Sequence, residues 1–135
     1  MLKLNTLSGF GSGVSGAAGT TYGYYSSGNA NLGSPPCTVA VDLLTFSTGV
    51  TSIHTDSETS AVERPTSISD GGSNGFGYTT GGEIPGGGPV AATDRYTFSS
   101  GVIAVHTDAD MTTATDGTGG FSDVTTYGYY IGGNI

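Results

Sequence analysis

DLLTFSTGV at residues 42–50 returns as DRYTFSSGV at residues 94–102, and this pair of stretches decides the fold. The match continues into the HTD at residues 54–56 and the HTD at residues 106–108, always at the same spacing (94 − 42 = 52). A fixed period of this length is the sequence signature of a repeat architecture, in which each unit is one supersecondary structure. The sequence therefore predicts tandem repeats with a period of about 52 residues.

A second block, an aromatic residue followed by glycine and then tyrosine, occurs three times. It reads YGYYSSG at residues 22–28, FGYTTGG at 76–82 and YGYYIGG at 127–133. Two copies of the first block and three of the second indicate about two and a half repeats. We expect one β-repeat domain over residues 13–135, preceded by an N-terminal arm or docking segment at residues 1–12.

No window of the chain keeps apolar residues at helical spacing, and glycine or proline recurs throughout, so the repeats are predicted to be all-β. Each is expected to hold four antiparallel strands. In the second copy these strands are predicted at residues 67–72, 76–80, 92–99 and 102–107. The STG at 47–49 and the SSG at 99–101 are typical of turns that join the last two strands of a unit.

The predicted third strand has one apolar face, since Tyr96 and Phe98 alternate with polar residues, and Leu44 and Phe46 have the same phase in the earlier copy. A side chain on every second position points to the same face of a sheet. The fourth strand is apolar on both faces, with Val50 and Val102 on one and Ile53 and Val105 on the other. That pattern predicts a strand buried between packed sheets.

Composition excludes several classes of partner. The net charge is −8, and only Lys3, Arg64 and Arg95 are positive, so almost nothing is present to neutralise phosphates. We therefore expect no nucleic-acid partner, and the absence of a long apolar run predicts no membrane insertion. The single cysteine, Cys37, cannot form an internal disulfide and is interpreted as a small packing residue.

Two features resemble kelch-like, galactose-oxidase-central-domain-like repeats. One is the aromatic-glycine strand that ends in a glycine pair, at Gly81-Gly82 and again at Gly132-Gly133. The other is the TDRYTFSSG at residues 93–101, which follows the first of these pairs. Such repeats occur in tail-fibre and other virion proteins of bacteriophages, notably those of cyanobacteria. The resemblance covers Gly13 to Ile135 and implies four-stranded β-propeller blades and a location on the virion. The copper ligands and the cross-linked tyrosine and cysteine of galactose oxidase have no counterparts here, so the resemblance implies the fold without the enzyme.

A propeller usually needs at least four blades, and about two and a half repeats cannot close a ring. Unpaired sheet edges invite pairing with another chain. We therefore expect an obligate homo-oligomer, either a ring of blades completed by several chains or a stacked β array.

Two sets of residues could carry metal chemistry. His54 and His106 stand in the repeated HTD, and two imidazoles with nearby carboxylates can bind a transition metal. The acidic residues could offer hard oxygen ligands to calcium; they are Asp56, Glu58, Asp108, Asp110 and Asp116. Both sets are better interpreted as turn caps and solvated surface, and no catalytic residue, cofactor or metal site is predicted. The chain is expected not to be an enzyme.

The repeated tyrosines combine apolar area with a hydroxyl and could stack on sugars, although packing explains their recurrence better. They are Tyr24, Tyr25, Tyr78, Tyr129 and Tyr130. Binding is more expected in the variable loops at residues 57–65 and 82–89. The leading hypothesis is a virion tail-fibre or decoration subunit that presents loops to a host-surface polysaccharide or to another virion protein. The alternatives are a tandem-blade lectin and a ligand-free subunit of an extracellular β filament.

Overall fold

A computed structural model describes residues 13–14, 22–26, 37–70, 75–123 and 126–135. These residues form short strands and one 3-10 turn at Thr107–Ala109, with no α-helix among them, which confirms the all-β prediction. The strands are β1 Gly13–Val14, β2 Tyr22–Ser26, β3 Val41–Thr45, β4 Val50–Ile53, β5 Thr66–Ser69, β6 Phe76–Thr80, β7 Glu83–Ile84, β8 Gly88–Pro89, β9 Thr93–Thr97, β10 Val102–Val105, β11 Gly119–Ser122 and β12 Gly128–Ile131. The predicted arm at residues 1–12 lies outside the described residues.

Two four-stranded antiparallel sheets form most of the fold. The first sheet has the strand order β1-β2-β3-β4 and the second has the order β5-β6-β9-β10. β11 and β12 form a separate antiparallel hairpin. The third and fourth strands of both sheets are joined by a tight turn whose last residue is a glycine with positive φ, 68° at Gly49 and 75° at Gly101. Glycine takes this conformation without the steric penalty that a Cβ imposes.

The predicted strand at residues 76–80 matches β6 residue for residue, while β9 and β10 are shorter than predicted. β5 begins one residue earlier than predicted and ends at Ser69, and residues 71–72 of that prediction lie outside the described residues. The interpretation of residues 82–89 as a loop is wrong in part, because β7 and β8 form a small hairpin there, with Glu83 paired with Pro89. A glycine-rich run that looked featureless therefore contains a tight antiparallel turn.

The core lies between the two large sheets. We call the side of each sheet that carries Tyr24 or Tyr78 its front face, and the opposite side its back face. Tyr24 on the front of the first sheet stacks on Phe98 at a ring-centroid distance of 5.7 Å and contacts Tyr96 at the same distance. Val41 and Ile103 complete this buried cluster. The front face of the first sheet is thus packed against the back face of the second.

The expectation that the fourth strands are buried on both faces is wrong. Val50, Ile53, Val102 and Val105 are all exposed. Among the described residues, β4 and β10 are the outer strands of their sheets, so each is paired along one edge only and no described layer covers these side chains. Of β10, only Ile103 is buried, because it points back into the core between the sheets.

The predicted Gly-Gly pairs mark sites where two backbone segments come close together. Gly82 has φ 96°, and a Cβ placed on it would lie 2.7 Å from the carbonyl oxygen of Glu63. Gly133 has φ 101°, and its Cβ would lie 2.8 Å from the carbonyl oxygen of Asp116. Both pairs follow an aromatic strand, so the need for glycine there is steric as well as conformational.

Candidate functional site

A cavity of about 350 Å³ lies between the front face of the second sheet and the β11–β12 hairpin. Its walls are formed by Tyr78 and His106 on one side and by Gly128 and Tyr130 on the other, with Ile68 between them. We call it the hairpin cavity. Pockets of this size hold small ligands or large side chains.

Two rings on the second-sheet side of this cavity form a pair. They are the rings of Tyr78 and His106, whose centroids lie 5.9 Å apart. Burial raises the pKa of the Tyr78 hydroxyl, and burial together with the neighbouring Tyr78 raises that of Tyr130. Both phenols therefore stay neutral at physiological pH and offer ring surface together with one hydroxyl each.

Two local features hold the cavity wall in place. Asp70, which follows β5, accepts a hydrogen bond from the backbone N–H of Phe76 at 3.1 Å and so fixes the start of β6. On the other side, Gly128 lies so close to Ile68 that a Cβ on it would come 2.1 Å from the end of the isoleucine side chain. The β11–β12 hairpin approaches the second sheet this closely only because residue 128 is glycine.

The two histidines of the HTD motifs lie in different sheets, His54 after β4 and His106 after β10. Nδ1 of His54 is 3.1 Å from the backbone nitrogen of Asp56, and the carboxylate of Asp56 accepts the N–H of Ile103 at 2.8 Å. The motif therefore connects the first sheet to the second. Within the described residues, no three or more His, Cys, Asp or Glu side chains are grouped in a way that could hold a metal ion.

The acidic residues considered for calcium are spread over the fold, and most have protein partners. Asp110 accepts a hydrogen bond from the N–H of Thr93 at 2.8 Å, and Asp116, almost fully buried, forms an ion pair with Arg64. Arg64 also contacts Glu83, which links the β7–β8 hairpin to the bridge between Asp116 and Asn134. The interpretation of the acidic set as solvated surface is therefore wrong for Glu58 and Asp116, which are buried between parts of the fold.

Glu58 is the acidic residue whose environment the sequence did not indicate. It is only 4% exposed, and its Oε1 accepts a hydrogen bond from the hydroxyl of Tyr96 at 2.6 Å. Burial raises its pKa to about 7, and the nearby carboxylate of Asp94 adds to the rise, while the hydrogen bond from Tyr96 opposes it. The only signal in the sequence was the 52-residue spacing between Glu58 and Asp110.

The predicted tyrosines divide into three environments. Tyr24 is buried in the core, Tyr78 and Tyr130 line the hairpin cavity, and Tyr25 and Tyr129 are exposed. Tyr129 stacks on Phe121 with a ring-centroid distance of 4.9 Å, in contact with the exposed Tyr127. These three rings form an exposed aromatic cluster on the face of the hairpin opposite to Gly128 and Tyr130, which we call the front of the hairpin, and Tyr127 also lines the hairpin cavity.

Cys37 is buried, and its pKa is raised first by burial and then by the carboxylate of Glu63. A thiol in this environment stays protonated and is a poor nucleophile. The guanidinium of Arg95 lies 4.8 Å above the ring of Phe76 and makes a cation–π contact within the second sheet.

No known protein family matches this chain, and no curated protein is recognisably similar to it. Within the described part of the chain, no helix has the length and apolar character needed to cross a membrane.

Proposed function

We propose that this chain is a non-enzymatic structural and adhesion protein of the virion-fibre type, in which tandem four-stranded repeats act as propeller-like blades and assemble with further copies. The observation that carries the proposal is a pair of exposed apolar faces at opposite ends of the described β array. One is a back face and the other a front face, and a front face and a back face also pack against each other between the first and second sheets.

The first of these faces is the back of the first sheet. Its exposed side chains include Tyr25 at 51%, Phe46 at 52% and Ile53 at 81% exposed. The strand register places Tyr25 and Ile53 on either side of Asp42, and the ring of Phe46 lies over Gly23 on the same side. These three side chains form an exposed, mainly apolar patch around the exposed carboxylate of Asp42, and an exposed apolar patch in a soluble protein commonly marks an interaction site.

The second face is the front of the β11–β12 hairpin, which presents the aromatic cluster of Phe121, Tyr127 and Tyr129, with Ile131 beside it. Inside the chain, a front face carrying Tyr24 packs against a back face carrying Tyr96 and Phe98. The exposed pair repeats this combination of a tyrosine-bearing front and an apolar back. Head-to-tail contact between copies would bury both faces and produce a ring or a filament.

Adhesion is the second element of the proposal. An oligomer presents the same loops many times, and weak identical sites add through avidity. The partners proposed are therefore the chain itself and, at the loops or the exposed aromatic cluster, a host-surface polysaccharide or another virion protein. The virion location rests on the resemblance of residues 76–82 and 93–101 to phage fibre repeats.

The tandem-blade lectin remains the second candidate, and the stacked pair of Phe121 and Tyr129 favours it, since exposed aromatic faces can stack on sugar rings. A ligand-free filament subunit is the third. Glycan binding on an array would exclude the ligand-free filament subunit and support adhesion to a polysaccharide or the lectin.

The assembly is tested by native mass spectrometry of the full chain and of Phe46→Asp and Tyr129→Asp variants. We expect multimers of the parent chain and a shift to monomer in both variants, because each buries a charge in the proposed contact. Val102→Asp is the matched control, since Val102 is exposed on β10, away from both faces. A monomeric parent chain, or variants that assemble as well as the control, would contradict the proposal.

A further inference from the structure

We infer that the hairpin cavity and the adjoining edge of β12 form an acceptor site for an extended partner segment that carries two aromatic side chains two residues apart. The inference rests on the repeat organisation of the proposed function and deepens it by naming what the site receives. It is drawn from a comparison with a similar site, in the described part of the chain, that is occupied by two aromatic side chains of the chain itself.

The filled example lies between the first and second sheets. There the ring pair is Tyr24 and His54, 5.4 Å apart. Tyr24 is covered by the rings of Tyr96 and Phe98, which stand two residues apart at β9. His54 lies under the β9–β10 turn, where a Cβ on Gly101 would come 2.9 Å from its Nε2. The site is therefore a ring pair covered by an aromatic-x-aromatic strand.

β9 is held in this position by the edge of β6. Tyr96 stands opposite Gly77, and the N–H of Phe98 donates to the carbonyl oxygen of Gly75 at 2.8 Å. Because residues 75 and 77 have no side chains, the two rings can lie beside the β6 backbone and reach the first sheet.

The hairpin cavity has the same parts, and among the described residues no strand covers it. Tyr78 and His106 take the places of Tyr24 and His54, at a similar ring distance of 5.9 Å. The alignment of FGY at residues 76–78 with YGY at 127–129 places Gly128 where Gly77 stands in the second sheet. Both Gly128 and Thr126, the counterpart of Gly75, line the cavity. The cavity thus lies where two rings of a third strand would be.

Size and backbone both suit this occupant. A cavity of roughly 150 Å³ accepts one benzene ring, so the 350 Å³ of the hairpin cavity has room for two. Within the described residues, β12 is paired with β11 alone, whereas β6 is paired on both edges. An incoming strand can therefore form main-chain hydrogen bonds along β12 while its alternate side chains enter the cavity, as in other cases of strand addition.

The test uses the full chain and a fluorescent peptide with the sequence of residues 93–99, TDRYTFS, at protein concentrations below those at which the chain assembles. We expect saturable binding by fluorescence anisotropy. A control peptide in which both aromatic residues are serine should bind at least about tenfold more weakly, because ring burial supplies most of the affinity. Hydrogen exchange should show slower exchange of the amides at residues 128–131 when the aromatic peptide is bound.

A matched pair of variants locates the site. Ala109→Trp places a ring in the cavity that Ala109 lines and should weaken peptide binding by about tenfold or more. Ala104→Trp changes an exposed position on β10, outside the cavity lining, and should leave binding within about twofold. Far-ultraviolet circular dichroism and the thermal midpoint establish that both variants are folded.

The inference would be overturned by no binding of the aromatic peptide, by equal binding of the serine peptide, or by equal loss in the two tryptophan variants. Protection of residues 128–131 by a soluble polysaccharide in place of the peptide would also overturn it, in favour of a sugar site. The native-mass experiment is independent. Multimers without peptide binding would remove only this inference, and peptide binding by a monomeric chain would remove only the self-assembly in the proposed function.

Discussion

The first and second sheets have the same strand order and nearly the same turn sequences, yet their back faces differ. Phe98 on the second sheet is 9% exposed, whereas Phe46, at the same place on the first sheet, is 52% exposed. Asp94 is buried and accepts hydrogen bonds from Thr59, while Asp42 is exposed. The strands are alike, and what differs is whether another sheet lies against them. In this fold the neighbour, more than the strand's own sequence, determines what is buried.

The largest expected effect comes from truncating the same residue type in the two environments. Phe98→Ala should lower the free energy of unfolding by about 3 kcal/mol or more, because it empties a stacked site in the core. Phe46→Ala should cost about 1 kcal/mol, since half of that ring is already in water. Urea denaturation followed by circular dichroism measures both. Equal losses would show that the back face of the first sheet is as well packed as that of the second.

The next effect concerns pH and the carboxyl group between the sheets. The pKa of Glu58 is about 7 in the fold, above its ordinary value of 4.5, so the folded state holds a proton that the unfolded chain releases between those pH values. The stabilisation is fully present below about pH 4.5 and is lost as pH rises towards 7, by about 3 kcal/mol in total. The unfolding free energy of the parent chain should therefore fall across this range.

Glu58→Gln should remove that part of the pH dependence and make the protein more stable than the parent chain at pH 8, because the amide keeps an acceptor for Tyr96 without a charge. Asp110→Asn is the matched control, 52 residues further on, and should retain the slope because Glu58 is intact. Denaturation midpoints at intervals from pH 4 to 8 measure this pH dependence in the parent chain and in both variants. A slope unchanged in Glu58→Gln would assign the effect to other groups.

The smallest expected effect is in the two turns. Alanine at Gly49 or at Gly101 should each cost about 1 kcal/mol, because both positions have positive φ. Gly101→Ala should cost about 0.5 kcal/mol more, since its Cβ would displace His54, while Gly49 has open space around it. Repeating both substitutions in a His54→Ala background should abolish the difference, and a difference that persists there would mean that His54 is not its cause.

Local chemistry made the strands predictable. The turns at residues 47–49 and 99–101 were marked by glycine, and β6 was marked by an aromatic-glycine-tyrosine pattern between turn residues. The alternation of Tyr96 and Phe98 correctly indicated the buried face of β9, but the same alternation was wrong for β3, since Phe46, which follows it, is exposed and Leu43 packs against the core. Each of these signals acts over a few residues, which is the range at which sequence patterns are informative.

The remaining features depend on contacts between distant residues. Glu58 and Tyr96 are 38 residues apart, and nothing near Glu58 indicates that an aromatic hydroxyl will cover it. The exposure of Val50 and Val102 depends on β4 and β10 being edge strands, a property of the sheet order. The hairpin cavity depends on which strand lies beside β12, which no local pattern specifies.

The contact between the first and second sheets includes a hydrogen bond that the main-chain N–H of Ile103 donates to the carboxylate of Asp56. Every residue except proline carries such a donor, so this hydrogen bond excludes only proline at position 103. Mutational drift in the receiving strand leaves it intact as long as the strand remains a strand. A substitution at Ile103 would instead act through the burial of its side chain in the core, so the packing between the two sheets is more sensitive to sequence than the hydrogen bond that joins them.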